Sequence, residues 1–264
     1  MIENKKDFKL ISKKNPKSLL PNTLTIIGVC LGLSSIKFAI DTNYSMSIIA
    51  IGFAAILDTL DGRVARLIKG TSKVGKELDS LTDVISFGVA PGIIMYYWAL
   101  NEVGKFGWMF VLIYTVCCAL RLARFNLTEI DETESWKINF FEGVPSPAAA
   151  GLVLLPLILN LSGLFDFKNY AVVSTLSILI TSILMVSKIP TYSFKRILIP
   201  RNLTIFLLLG IGVYLSLVIF YTFETLFITG LIYIILIPIS CLHYMRKNKK
   251  TFISKDGEID EDIL

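Results

Sequence analysis

Eight runs of apolar residues, each close to the length of a bilayer crossing, occupy most of this 264-residue chain, at about 21–40, 45–66, 76–100, 106–124, 144–163, 170–187, 203–221 and 224–243. A hydrocarbon core of ~30 Å takes about 20 apolar residues per helical crossing. In lipid a helix satisfies its own backbone donors and acceptors, which an isolated strand does not. The expected fold is therefore all-α, a polytopic membrane protein of about eight transmembrane helices, with little material left for a soluble domain. Composition supports this: 54% of residues are hydrophobic and 18% charged, against about 25% charged in soluble domains. With 17 Gly and 9 Pro and no Gly-X-Y period, collagen-like and disordered classes are excluded.

The charges test the span count independently. Lys and Arg collect on the cytoplasmic side of membrane proteins. With the N-terminus inside and eight crossings, 23 of the 26 basic residues fall on inner segments. Only Lys37, Lys105 and Lys168 lie toward the outer ends. One span more or fewer would exchange the sides of every later loop and destroy this asymmetry. The chain is thus expected to divide into a cytoplasmic N-terminal segment (1–20), a transmembrane domain (21–243) and a cytoplasmic tail (244–264), a multi-pass protein of the cell membrane with both termini on the cytoplasmic side. The Lys-rich start has no h-region and no cleavage site, so it is not a secretory signal. The net charge of +5 follows from topology and attraction to anionic headgroups, and requires no nucleic-acid partner. Cys30, Cys117, Cys118 and Cys241 lie in apolar runs without metal-site spacing and are read as packing residues. The end of the chain, TFISKDGEIDEDIL, and the EIDETE stretch at 129–134 are read as solvated surface.

The chemistry concentrates in LDTLDGRVARLIKGTSKVGKELDSLTD, residues 57–83. Asp58, Asp61, Asp79 and Asp83 stand at or near the inner ends of two successive spans, where unpaired acids are costly. At about 100° per residue, Asp58 and Asp61 lie ~60° apart on one helix and Asp79 and Asp83 ~40° apart on the next. A short basic link brings the two faces together. Four converging carboxylates call for protonation or cations. Oxygen ligands without His or Cys favour a hard divalent metal, Mg²⁺ or Mn²⁺, and a pair of such ions suits a diphosphate. Gly62, Ala65 and Gly75 leave room for a ligand against the backbone, and Arg66 offers planar donors to phosphate. Ordinary small-residue helix packing is the competing explanation for the glycines and alanine.

The string Asp58-x-x-Asp61-Gly62-x-x-Ala65-Arg66-x(8)-Gly75-x-x-x-Asp79-x-x-x-Asp83 resembles the signature of the CDP-alcohol phosphotransferases at every position. Eight fixed residues at about 5% each would coincide by chance roughly once in 10⁸ chains of this length. The resemblance implies a six-helix catalytic core in which Asp58, Asp61, Asp79 and Asp83 hold two metal ions around a CDP-linked lipid, with Asp83 also the general base. It places Gly62, Ala65, Arg66 and Gly75 against the nucleotide, together with Asn22 and Thr25 of the Pro21–Thr25 segment that opens the first span. The segments ALRLARFN at 119–126 and GVPSPAAAG at 143–151 are similar to those of the bacterial serine-using branch. This branch resemblance implies transfer of a phosphatidyl group from CDP-diacylglycerol to L-serine with release of CMP, by a homodimer. Glycerol phosphate, inositol phosphate and choline are the alternative acceptors within the family.

Arg121 and Arg124, at i and i+3 on the fourth span, are candidates for holding an anionic group of the acceptor or the CDP-lipid; positive-inside anchoring is the plainer explanation. An ion-coupled transporter is the rival from another class, since intramembrane acids also mark ion pathways. Clustering at one membrane face favours the enzyme. A near phosphate loop at 70–77 fails at Glu77, where a Ser or Thr hydroxyl is required. His243 is far in sequence from the acids and is read as an interfacial residue.

Overall fold

The computed structural model describes residues 19–68, 73–127, 140–165, 169–192 and 203–261, with side chains described through 247. The first 18 residues, most of the basic link and the acidic loop at 129–134 lie outside the described residues. The helices are α1 (Leu19–Ile40), α2 (Tyr44–Leu67), α3 (Lys73–Asp83), α4 (Ala90–Trp98), α5 (Lys105–Leu127), α6 (Ser146–Ser162), α7 (Tyr170–Val186), α8 (Thr204–Phe220) and α9 (Thr222–Glu261). Each apolar run corresponds to a helix, the third to α3 and α4 joined by a π-helical turn over Val84–Val89. Among the described residues, four stretches, at 19–40, 74–98, 105–127 and 222–247, are both long and apolar enough to cross a membrane; α6, α7 and α8 are apolar but shorter. The protein is an all-α polytopic membrane protein. The backbone of α9 stays helical to Glu261, through most of the stretch read as a solvated tail.

The core gathers around Phe87, Ile94, Tyr114, Leu154, Leu157 and Ile178, all buried. Exposed Leu, Ile and Phe cover the outside of every long helix, the inverse of a water-soluble surface and the pattern lipid requires. Helix α1 approaches the π-helical turn closely: a Cβ on Gly32 would run into Ser86, whose Cα would lie 3.0 Å away.

Two prolines are accommodated by hydroxyls from neighbouring helices. Proline has no N–H to give the carbonyl four residues back. Pro156, inside α6, therefore leaves Leu152 O without its helical donor, and Ser177 of α7 donates its hydroxyl to that oxygen at 2.9 Å. Pro91 likewise releases Phe87 O, which accepts from the buried Tyr114 hydroxyl of α5 at 2.7 Å. With no water in the bilayer core, such side-chain donors are what make a proline tolerable there.

A two-stranded antiparallel ribbon closes one end of the bundle, pairing β1 (Phe140–Glu142) with β2 (Pro190–Tyr192) in the register Phe140–Tyr192, Phe141–Thr191 and Glu142–Pro190. It ties the chain entering α6 to the chain leaving α7. Gly143, at φ +73°, makes the turn into α6, and a Cβ there would lie 2.6 Å from Met185 O. His243 of α9 meets the Tyr192 hydroxyl through Nδ1 at 2.9 Å and packs edge-on to Phe140.

Candidate active site

The four aspartates stand at one end of the bundle, where α2 ends and the α3–α4 span begins. Helix α2 carries Asp58 and Asp61 a turn apart, and α3 brings Asp79 and Asp83 opposite them because the connection between the helices is short. One carboxylate oxygen from each of Asp58, Asp61 and Asp79 lies within 4.8 Å of the others. Asp83 lies beside this triad: its carboxyl meets that of Asp58, and one of its oxygens accepts from the Ser146 hydroxyl at 3.3 Å. Its other oxygen, Oδ1, is buried without a hydrogen-bond partner.

Asp61 is fixed before any ligand arrives. It is 4% exposed and accepts from the Thr25 hydroxyl at 2.7 Å, Thr25 itself being 5% exposed. Oxygen ligands around a hard divalent cation sit at about 2.0–2.6 Å from it, so small side-chain rotations would gather the triad around one ion. The donor set therefore fits Mg²⁺ or Mn²⁺, and the Asp83 carboxyl beside Asp58 offers a further oxygen.

A cavity of about 210 Å³ opens next to the acids. Its wall consists of Pro21, Asn22 and Thr25 from α1, Asp61, Gly62, Ala65 and Arg66 from α2, and Gly75, Lys76 and Asp79 from α3. All six residues expected at the nucleotide line it. A Cβ on Gly62 would meet no neighbouring atom within 4 Å, so that glycine leaves space for a ligand rather than allowing two helices to touch. Arg66 donates through Nε to Gly62 O at 3.0 Å, which lays the guanidinium along α2 at the cavity wall. A larger groove of about 490 Å³ runs along α8 from Leu209 to Tyr221. It carries no acid, arginine or lysine, and so has no means of holding a diphosphate.

The two arginines of α5 part company. Arg121 is 7% exposed and donates through Nη1 to the Ser146 hydroxyl at 3.1 Å, joining the aspartates through that serine. Arg124 turns to the end of α7, donating to Val186 O at 3.0 Å and Ser187 O at 3.4 Å. Cationic donors at the last carbonyls of a helix cap it and favour its dipole. Sequence reasoning missed Ser146 as a site residue. Its sequence signal is the GVPSPAAAG segment, in which it is the only hydroxyl-bearing residue. Asn126, closing the ALRLARFN segment, donates to the Ser80 hydroxyl at 2.8 Å and so fastens the end of α5 to α3.

Comparison with known proteins identifies the family. A family model described as CDP-alcohol phosphatidyltransferase matches residues 18–191. A relative from Mycobacterium leprae, named CDP-diacylglycerol--serine O-phosphatidyltransferase, is 34% identical over 86% of this chain and 76% of its own length. A Helicobacter pylori protein of the same name is 38% identical over 84% of this chain and 90% of its own. One from Mycobacterium bovis is 40% identical over 70% of this chain, which spans 64% of that relative. The matched region runs from the start of α1 through β2 and contains all four aspartates, the cavity residues, Arg121 and Ser146, and the chain belongs to the CDP-alcohol phosphatidyltransferase family.

Proposed function

We propose that the protein is an integral-membrane CDP-diacylglycerol–serine O-phosphatidyltransferase, which converts CDP-diacylglycerol and L-serine to phosphatidylserine and CMP. The observation that carries this reading is the junction of two sites. The triad of Asp58, Asp61 and Asp79 borders a cavity lined by small residues and Arg66 on one side. On the other, Asp83 is linked through Ser146 to the buried cation Arg121. The names of the relatives favour serine as the acceptor.

In this reading Asp58, Asp61, Asp79 and Asp83 hold two divalent ions, Mg²⁺ or Mn²⁺. When bound, such ions polarise the phosphoryl oxygens and neutralise charge on the departing CMP. Asn22, Thr25, Gly62, Ala65, Arg66 and Gly75 receive the cytidine diphosphate, and the acyl chains extend into lipid. Asp83 accepts the proton of the serine hydroxyl as its oxygen joins the phosphatidyl phosphorus. Ser146 holds the other oxygen of Asp83 and so sets its rotamer. Arg121 pairs with the carboxylate of the acceptor, while Arg124 holds α7 in place.

The site faces the cytoplasm. Thr25 at the start of α1, Asp61 near the end of α2, Arg121 near the end of α5 and Ser146 at the start of α6 share one end of the bundle, the end to which the basic residues of the sequence belong. A cysteine placed at Gly163 is expected to react with an impermeant reagent from outside, and one at Ser254 only after permeabilisation; the reverse would overturn the orientation. Homodimerisation belongs to the same reading and is tested by light scattering on purified protein.

The decisive assay supplies purified protein with CDP-diacylglycerol, Mg²⁺ or Mn²⁺, and serine, glycerol phosphate, inositol phosphate or choline in turn. Phosphatidylserine and CMP formed only with serine is the expected outcome. Faster transfer to another acceptor would move the protein to a different branch of the family.

A further inference from the structure

The cavity beside the aspartates is lined by two cations, Arg66 of α2 and Lys76 of α3. Residues that follow Asp61 and residues that precede Asp79 both lie toward the α2–α3 connection. At 1.5 Å and 100° per residue, Lys76 stands about 4.5 Å from Asp79 along α3 and ~60° round from it. Ala65 and Arg66 stand about 6 and about 7.5 Å beyond Asp61 along α2. The cavity therefore has an inner level of carboxylates and, roughly one turn nearer the connection, an outer level with a cation on each wall. Arg66 is tied through Nε to Gly62 O. Lys76 is exposed, and among the described residues its ammonium group forms no hydrogen bond or ion pair. The helix itself does not call for it: Lys76 sits in the first turn of α3, where the helix dipole disfavours a cation.

In the proposed reaction the charges of four aspartates and two divalent ions cancel. The diphosphate of CDP-diacylglycerol then brings two negative charges, one on each phosphate, and the outer level supplies two positive ones. As the serine oxygen joins the lipid-bearing phosphorus, the bond from that phosphorus to the bridging oxygen breaks. Its electron pair stays with CMP, and the serine proton passes to Asp83. The lipid phosphate keeps one negative charge while the nucleotide phosphate goes from one to two. Charge thus grows on the end of the substrate that points away from the acyl chains, toward the outer level.

We propose that Lys76 is a binding residue for the nucleotide phosphate, donating to it from the wall opposite Arg66 and holding the charge that CMP carries away. The proposal rests on the phosphatidyl transfer proposed above and adds to it a residue that the family signature leaves open, the first of the three positions between Gly75 and Asp79. A contact that strengthens as the phosphate gains charge favours the transition state over the bound donor.

The test measures CMP binding to the full-length protein, by calorimetry with Mg²⁺ present and by product inhibition. Wild-type transfer to serine is established first; if the wild type makes no phosphatidylserine, the functional reading fails and the proposal falls with it. Given that activity, Lys76→Gln is expected to raise the Kd for CMP about fivefold or more, fivefold being the upper end for an exposed ion pair. The KM for CDP-diacylglycerol should rise by a smaller factor, because its nucleotide phosphate carries one charge where that of CMP carries two. The KM for L-serine should stay within about twofold, as for a contact not made with the acceptor. Lys76→Arg keeps the charge and should bind CMP within about twofold of the wild type. Arg63→Gln removes an exposed charge from α2 outside the cavity lining and sets the background. The advantage of the wild type over Lys76→Gln should narrow as NaCl is raised. An unchanged Kd for CMP in Lys76→Gln, an equal loss in Arg63→Gln, or a rise in the serine KM larger than the rise in the Kd for CMP would each overturn the proposal.

Discussion

Replacing Thr25 with valine removes one hydroxyl from a contact that water cannot repair. Valine keeps the shape of threonine, so the closely packed start of α1 should be undisturbed. The hydroxyl has one proton and two acceptors in reach, Pro21 O at 3.0 Å and Asp61 Oδ2 at 2.7 Å; the shorter contact to a carboxylate is the stronger. A hydrogen bond to a charged group contributes about 1.5–3 kcal/mol, equivalent to roughly 10–150-fold in an equilibrium constant. Part of this is recovered when Asp61 turns fully to the metal. Loss of a residue that orients a metal ligand typically weakens binding by about 10–100-fold, and the lower half of that range is expected for Thr25→Val. The measurement is CMP release as a function of Mn²⁺ concentration, with CDP-diacylglycerol and serine saturating. The half-activating concentration should rise about tenfold or more, while the rate at saturating metal recovers most of its wild-type value. A half-activating concentration within about twofold of the wild type would refute the reasoning that this bond presets Asp61.

Asp58→Asn, Asp61→Asn, Asp79→Asn and Asp83→Asn should each abolish CMP release while leaving a folded protein by size-exclusion chromatography; near-normal turnover in any of them would remove that residue from the site. Arg121→Lys should raise the serine requirement by about tenfold or more, because lysine loses the planar fork that spans Ser146 and an acceptor carboxylate. Arg124→Lys should instead lower the melting temperature with little change in the serine KM, and equal kinetic effects of the two variants would contradict their different contacts. Tyr114→Phe should destabilise the protein by about 1–3 kcal/mol in thermal unfolding, since it strands the buried Phe87 carbonyl; an unchanged melting temperature would show that Pro91 imposes no such need.

The parts of the site legible in the sequence are those fixed by spacing along single helices. Asp58 and Asp61 share a face because three residues nearly complete a turn, and the short link after α2 leaves α3 no choice but to return beside it. Gly62, Ala65 and Arg66 of the cavity are readable for the same reason, since they repeat at helical intervals, whereas Asn22 and Thr25 rest on the family resemblance alone. What stayed hidden depends on which helix faces which. Arg121 and Arg124 look alike at i and i+3, yet about 60° of rotation sends one to α6 and the other to the end of α7. The hydroxyls of Tyr114 and Ser177 carried no local signal, since their acceptors are carbonyls freed by prolines on other helices.

The π-helical turn over Val84–Val89 has a consequence for the phase of its span. A π turn holds one residue more than the α-helical hydrogen-bonding pattern would, and Ala90 N reaches back five residues to Ile85 O. That surplus residue shifts the angular register of everything after it by about 100°. Upstream of it, Asp79 and Asp83 are phased toward the acids of α2; downstream, Gly92 and Ile94 are phased into the interior beside α5. A regular helix of the same sequence would satisfy one of these settings and rotate the other away. Deleting a single residue between Ser86 and Val89 would therefore act as a change of gear, in which every residue retained is native but catalytic and packing faces no longer mesh.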